Sequence, residues 1–252
     1  MQSINFGQTI ARASSLIGTT LGSVGLFTVL FQVALAILNF GLRSQLSAEL
    51  ESGNAAPITV FGSVWYWAII LAAFLLGPLV FAGGTAGMLK ADRGEQVSLG
   101  DCVSSGFAKM LPMLGLLILW SLGIYIGFLL LLVPGCILIA MWSTCVPVLM
   151  AENTGVFGAF GRSRALTKGS RLKIFLLLFF IVVAIYLVLS ILMAGLLLQG
   201  GMMGLATMNS PVMTITMSAF GVLFSLVINA VLVAIYGELI DMKGERAADV
   251  FN

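Results

Sequence analysis

Charged side chains divide this sequence into four long apolar tracts. Residues 13 to 42, 52 to 89, 110 to 151 and 174 to 237 contain no Asp, Glu, Lys or Arg, and a helix needs only about 20 apolar residues to cross a bilayer core. The apolar positions do not alternate as they would on a barrel strand: the segment from Ile174 to Leu189 is apolar on every face, which suits a helix that meets lipid or neighbouring helices all round. The pattern predicts an all-α polytopic membrane helix bundle, a single integral domain over residues 1–252.

Breakers divide the tracts into crossings. Residues 21 to 40 make a first span closed by Gly41 and Arg43, and residues 61 to 88 a second, with a kink expected at Gly77-Pro78. The polar patch from Gln199-Gly200-Gly201 to Asn209-Ser210-Pro211 separates two more, 173 to 198 and 212 to 237. The tract from 110 to 151 is interrupted by Pro134-Gly135 and by Pro147. Read as helices over 111 to 132 and 136 to 151, its second member is only about 24 Å long at 1.5 Å per residue, so either a compensated double crossing or a re-entrant hairpin fits, and two crossings are favoured.

Charge placement sets the parity. Lys90, Arg93 and Lys109 precede this tract, and Arg162, Arg164, Lys168, Arg171 and Lys173 follow it. The positive-inside rule puts both groups on the cytoplasmic side, so the chain must return between them. Six transmembrane helices with cytoplasmic N and C termini then place every Lys and Arg inside except Arg43, which shares an outer loop with Glu49 and Glu51. The tail Glu238, Asp241, Lys243, Glu245, Arg246, Asp249 is expected on the same cytoplasmic side. No secretory leader is expected, because the first apolar run follows mixed residues without a small-residue cleavage site.

Composition excludes other classes. Hydrophobic residues reach 60% and charged residues 9%, against roughly 25% charged in soluble domains, so a water-facing surface could not be built. A net charge of +2 with no basic stripe interleaved with aromatics gives no nucleic-acid partner.

Each pair of spans opens on a similar phrase: Asn5-Phe6-Gly7-Gln8-Thr9, Ser98-Leu99-Gly100-Asp101-Cys102 and Val156-Phe157-Gly158-Ala159-Phe160. Short amphipathic segments follow, such as Ile10, Ala13, Leu16, Ile17, and Phe160, Ala165, Leu166 with Arg162, Arg164, Lys168, which read as interfacial helices. A threefold repeat of interfacial helix plus hairpin would divide the chain into 4–88, 97–151 and 155–240, although any amphipathic connector between spans has this composition.

The stretch Pro147-Val148-Leu149-Met150-Ala151-Glu152-Asn153-Thr154-Gly155, continuing through Ala159, Arg162-Ser163, Leu166 and Lys168-Gly169, resembles the bacterial multi-pass family named for the membrane domain of glycerophosphoryl diester phosphodiesterases. The Phe6-Gly7 phrase and the Pro134-Gly135 hairpin are similar too. The resemblance implies six helices in a bacterial inner membrane. It implies no activity, because the catalytic domain of the fused relatives is missing and this chain has no histidine for that reaction.

The residues offer little chemistry. Cys102, Cys136 and Cys145 are scattered without Cys-x-x-Cys spacing, so they read as reduced packing residues, and neither a metal, a cofactor nor an enzyme site is expected. The middle thirds of the spans hold no ionisable residue of the kind ion transport requires. Glu152 and Glu238 lie at cytoplasmic ends, where pairing with nearby cations is expected, Arg162 or Arg164 in the case of Glu152; a gating or headgroup-binding role is the alternative. Ser121, Ser143, Thr144, Ser190, Ser225 and Asn229 are expected to bond across helices or back to carbonyls. The pairs Gly18/Gly22, Gly83/Gly87, Gly123/Gly127 and Gly200/Gly204 fit the close-packing motif, but 29 glycines would supply such pairs by chance. Met202, Met203, Met208, Met213 and Met217 read as gap fillers more than as a copper site.

The connector from Glu152 to Lys173 carries the strongest functional signal. Its cations are worth on the order of 1 kcal/mol each against anionic lipid, which makes Arg162, Arg164, Lys168 and Arg171 the candidate headgroup ligands. Glu152, Pro147, Pro134 and Gly135 are the structural or gating candidates. The expected function is non-enzymatic, in membrane organisation through lipid contact or a membrane-protein partner. The alternatives are a small transporter or channel for a lipid-like solute and an accessory subunit of a membrane complex.

Overall fold

The computed structural model describes residues 4–51, 62–152, 154–199 and 211–244. Glu245, Arg246, Asp249, Met202, Met203, Met208 and the pair Gly200/Gly204 lie outside the described residues, as do the side chains of Arg43, Glu49, Glu51 and Met213. All regular structure among the described residues is helical: α1 (Phe6–Thr20), α2 (Leu26–Glu51), α3 (Val64–Asp92), α4 (Leu99–Leu130), α5 (Leu132–Met141), α6 (Cys145–Glu152), α7 (Gly155–Leu166), α8 (Arg171–Gln199) and α9 (Pro211–Met242). Among the described residues, six stretches are long and apolar enough to cross a membrane: Phe6–Leu42, Val64–Asp92, Leu99–Leu130, Leu132–Glu152, Arg171–Gly195 and Thr214–Met242.

Several boundaries differ from the sequence expectation. α1 does not end before the first span; a π-helical turn over Leu21–Gly25 carries it into α2. The segment expected as a separate interfacial helix after Ser98 is the first part of α4, started by a capping box in which Ser98 and Asp101 satisfy each other's backbone N–H groups. Pro134-Gly135 is not the hairpin loop. The chain reverses at Leu131, which is extended at φ −168° and ψ 155°, and α5 begins at once. Pro134 and Pro147 therefore occupy the first turns of α5 and α6, where a missing N–H costs no helical hydrogen bond. Starting at Leu132 lengthens the fourth stretch to 21 residues, about 31 Å if straight, which matches a bilayer core.

Glycines set the closest helix contacts. α3 and α4 form the most extensive pair. A Cβ on Gly83 would lie 2.3 Å from the Cys102 carbonyl oxygen, and one on Gly106 would lie 2.7 Å from that of Leu79. Val24 sits against Gly87 and Phe27 against Gly83, which seats the π-turn region on α3. The α4–α5 hairpin closes where Gly127 meets Gly135 and Leu138, and Gly123 meets the Trp142 ring. Gly83/Gly87 and Gly123/Gly127 are thus true packing pairs, whereas nothing lies within 4 Å of a Cβ built on Gly18 or Gly22.

Burial is concentrated toward one end of the bundle. The second half of α3, α6, and α9 from Asn229 to Ile240 are largely buried, while Leu187, Val188 and Ile191 of α8 are exposed. Midway along the buried interface the Thr85 hydroxyl lies 2.7 Å from Asn229 Oδ1, tying α3 to α9. Among the residues whose side chains are described, the charged ones gather at the densely packed end.

Candidate lipid-headgroup interface

α7 owes its place to a break in the fourth crossing. Residues Trp142 to Thr144 form a turn between α5 and α6, which releases the Met141 carbonyl from its helical donor. In hydrocarbon such a group must find a partner. Ser163 Oγ donates to it at 2.8 Å and Thr167 Oγ1 approaches at 3.3 Å. Thr144 Oγ1 lies 2.9 Å from Ser163 Oγ, so one buried hydroxyl serves both ends of the turn. Phe160 meets the Trp142 ring edge-on at 4.9 Å between centroids.

The local sequence builds this docking face. Ala159, Ser163 and Leu166 recur at helical spacing and are fully buried, as is Thr167. Gly155 at φ +71° turns the chain out of α6, and Gly169 at φ +94° turns it into α8; both conformations disfavour any side chain. With one face buried, Phe157, Arg164 and Lys168 are left exposed, and Leu172 beyond the turn is 71% exposed. An exposed apolar and cationic margin on a helix lying beside a bundle is the arrangement of an interfacial helix.

The four candidate cations separate into two kinds. Arg162 Nε donates to Glu152 at 2.9 Å and 3.2 Å, and the Tyr236 hydroxyl donates to the same carboxylate at 3.0 Å. Arg162 is therefore engaged with Glu152 and the base of α9. Arg164, Lys168 and Arg171 form no ion pair with a carboxylate among the described residues. Arg171 is half-buried; its Nη2 lies 3.5 Å from the Arg164 carbonyl, and its Nε has no hydrogen-bond partner among the described residues. Lys243, just past the end of α9, donates to the Ala165 carbonyl at 2.8 Å, placing a cation at the C-terminal end of the α7 dipole.

Behind this corner lies an ionic layer whose members are far apart in the sequence. Arg12 of α1 grips Asp92 at the end of α3 through Nε at 2.6 Å and Nη2 at 2.7 Å, and reaches Asp241 of α9 through Nη1 at 2.8 Å. Its guanidinium lies flat over Gly237, where a Cβ would come within 2.5 Å of Cζ. Glu238 departs from expectation: it accepts from the Asn5 backbone N–H at 2.6 Å and from the Thr9 hydroxyl, instead of from a cation. The free N–H groups and positive end of α1 fill the role a cation would have had. The apolar face of α1 accordingly covers protein, with Ala13 and Leu16 buried, while Ile10 stays 52% exposed. The signal was present in the sequence as Tyr236, Gly237, Glu238 and Asp241, consecutive faces of one helix end, but their partners lie more than 80 residues away.

The remaining residues fall into packing roles. Ser121, Ser143 and Ser190 bond back to carbonyls three or four residues earlier, and Ser225 accepts from Asn229. Cys102 and Cys145 are buried thiols and Cys136 is half-buried. No group of three or more potential metal ligands occurs among the described residues. Comparison with family models, curated proteins and solved structures finds no match to this chain.

Proposed function

We propose that this chain is a non-enzymatic protein of a bacterial inner membrane that works at its cytoplasmic surface by holding anionic lipid headgroups against α7. One observation carries the reading: Arg164, Lys168 and Arg171 cluster at the α7–α8 corner without carboxylate partners among the described residues, while Arg12, Lys90 and Arg162 are each paired. Cations left unpaired at a membrane edge recruit phosphate oxygens, at about 1 kcal/mol each. The exposed Phe157 and Leu172 beside them fit the acyl boundary. The positive-inside rule and the connector's resemblance to a multi-pass bacterial family support the sidedness and the membrane.

Native mass spectrometry of the protein from nanodiscs of mixed phosphatidylglycerol and phosphatidylcholine tests this. Combined Arg164→Gln, Lys168→Gln and Arg171→Gln should lower selective phosphatidylglycerol retention by up to roughly a hundredfold, following from three cations at about 1 kcal/mol each. Unchanged selectivity would refute it. Arg162 is left intact because its removal would strand Glu152.

A further inference from the structure

We propose that a polar cavity between α2 and α9, in the half of the bundle away from the ionic layer, binds an uncharged hydroxyl-bearing group. The cavity has a volume of about 180 Å³ and is lined by Gln32, Leu35, Ala36 and Asn39 of α2 and by Thr214, Met217 and Ser218 of α9. Both sets follow the helical i, i+3, i+4, i+7 pattern, counting Gly221 on α9, so two complementary stripes face each other. Gln32 closes the deep end because Gly221 has no side chain: a Cβ there would lie 2.7 Å from Gln32 Nε2.

Three of the polar side chains in this cavity are wholly or partly unmet. Among the described residues the Gln32 carboxamide and the Ser218 hydroxyl form no hydrogen bond, and Asn39 uses only its Nδ2, donating to the Leu35 carbonyl at 2.9 Å. The amide and the hydroxyl open to the cavity offer donors and acceptors that a ligand carrying both would satisfy. The cavity therefore selects by chemistry. None of its lining side chains among the described residues is charged, so neither a phosphate nor an ammonium would be compensated by them, whereas hydroxyls match carboxamide and serine in both hydrogen-bonding senses. Exposed Val33, Ile37 and Ile215 flank it, giving lateral access from the hydrocarbon. Below the cavity, the polar stripe of α9 ends at the Thr85–Asn229 contact, beneath which Ala230, Val233 and Ala234 are buried.

The hydroxyl can arrive on a membrane lipid or as a free polyol, and two measurements separate these. Phosphatidylcholine nanodiscs doped with dioleoylglycerol, read by native mass spectrometry, report the lipid source; equilibrium dialysis with isotope-labelled glycerol reports the soluble one. Saturable binding of one molecule per chain is expected in at least one arm. Gln32→Leu should weaken it at least tenfold, and Gly221→Leu, which fills the space, should do the same. Gln32→Leu removes an unmet polar group from an apolar setting, so the fold should survive, as retention of helical circular dichroism would verify. Arg164→Gln with Lys168→Gln should leave this binding intact, which separates failure here from failure of the headgroup interface. Absence of saturable binding in both arms, or equal binding by Gln32→Leu, would overturn the proposal.

Discussion

Ser163 Oγ donates to the Met141 carbonyl at 2.8 Å, joining an interfacial helix to the break in a crossing helix. This bond helps to hold the cationic corner in place, since among the described residues the carbonyl released at the α5–α6 turn has no other side-chain donor apart from the longer Thr167 contact. Ser163→Ala should cost about 1–3 kcal/mol, the usual penalty for stranding a buried polar group. Thermal unfolding in detergent measures it, and a Leu166→Cys reporter should gain thiol reactivity in the variant. Unaltered melting and labelling would show that α7 is held by packing alone.

Glu152 and Arg162 form a part-exposed pair, with 22% and 31% of their side chains accessible, so solvent limits their coupling. A double-mutant cycle with Glu152→Gln and Arg162→Gln should return about 0.5–1 kcal/mol. Arg162→Gln alone should disturb stability more than it disturbs lipid selectivity, the reverse of the pattern expected for Lys168→Gln.

The Arg12 clamp depends on an absent side chain. Gly237→Ala would push a methyl group into the guanidinium that holds the nearly buried Asp92, and should destabilise by roughly 1–3 kcal/mol. The same substitution made with Arg12→Met should cost much less, because the clash and the lost pairing share one cause. Additive costs would contradict this geometry.

The glycine pairs make an internal comparison. Gly83→Ala brings a methyl against backbone at 2.3 Å and should cost more than about 2 kcal/mol, while Gly18→Ala meets nothing within 4 Å and should be neutral or stabilising by about 0.5–1 kcal/mol. Equal effects would mean that α3 and α4 do not approach as closely as the Gly83 and Gly106 contacts require.

The six crossings were legible because charge exclusion is a property of each segment by itself, and the connector's cations stood out for the same reason. What escaped the sequence depends on distant partners. Ser163 reads as an ordinary polar residue until Met141 is brought beside it, and Glu238 reads as a candidate for cation pairing until α1 presents its N-terminus. The hairpin falls ahead of Pro134-Gly135 for a local reason: that pair is a strong turn signal, yet the first turn of a helix tolerates proline as readily as a loop does. Gln32 does not stand out in the sequence, where one neutral amide within a span has a routine explanation, and only its position over Gly221 distinguishes it.

Sidedness is the claim on which the headgroup interface stands. In a variant with Cys102, Cys136 and Cys145 replaced by alanine, Lys168→Cys should resist a membrane-impermeant maleimide in intact spheroplasts and react in inverted inner-membrane vesicles. Labelling from the periplasmic face of sealed spheroplasts would contradict the account.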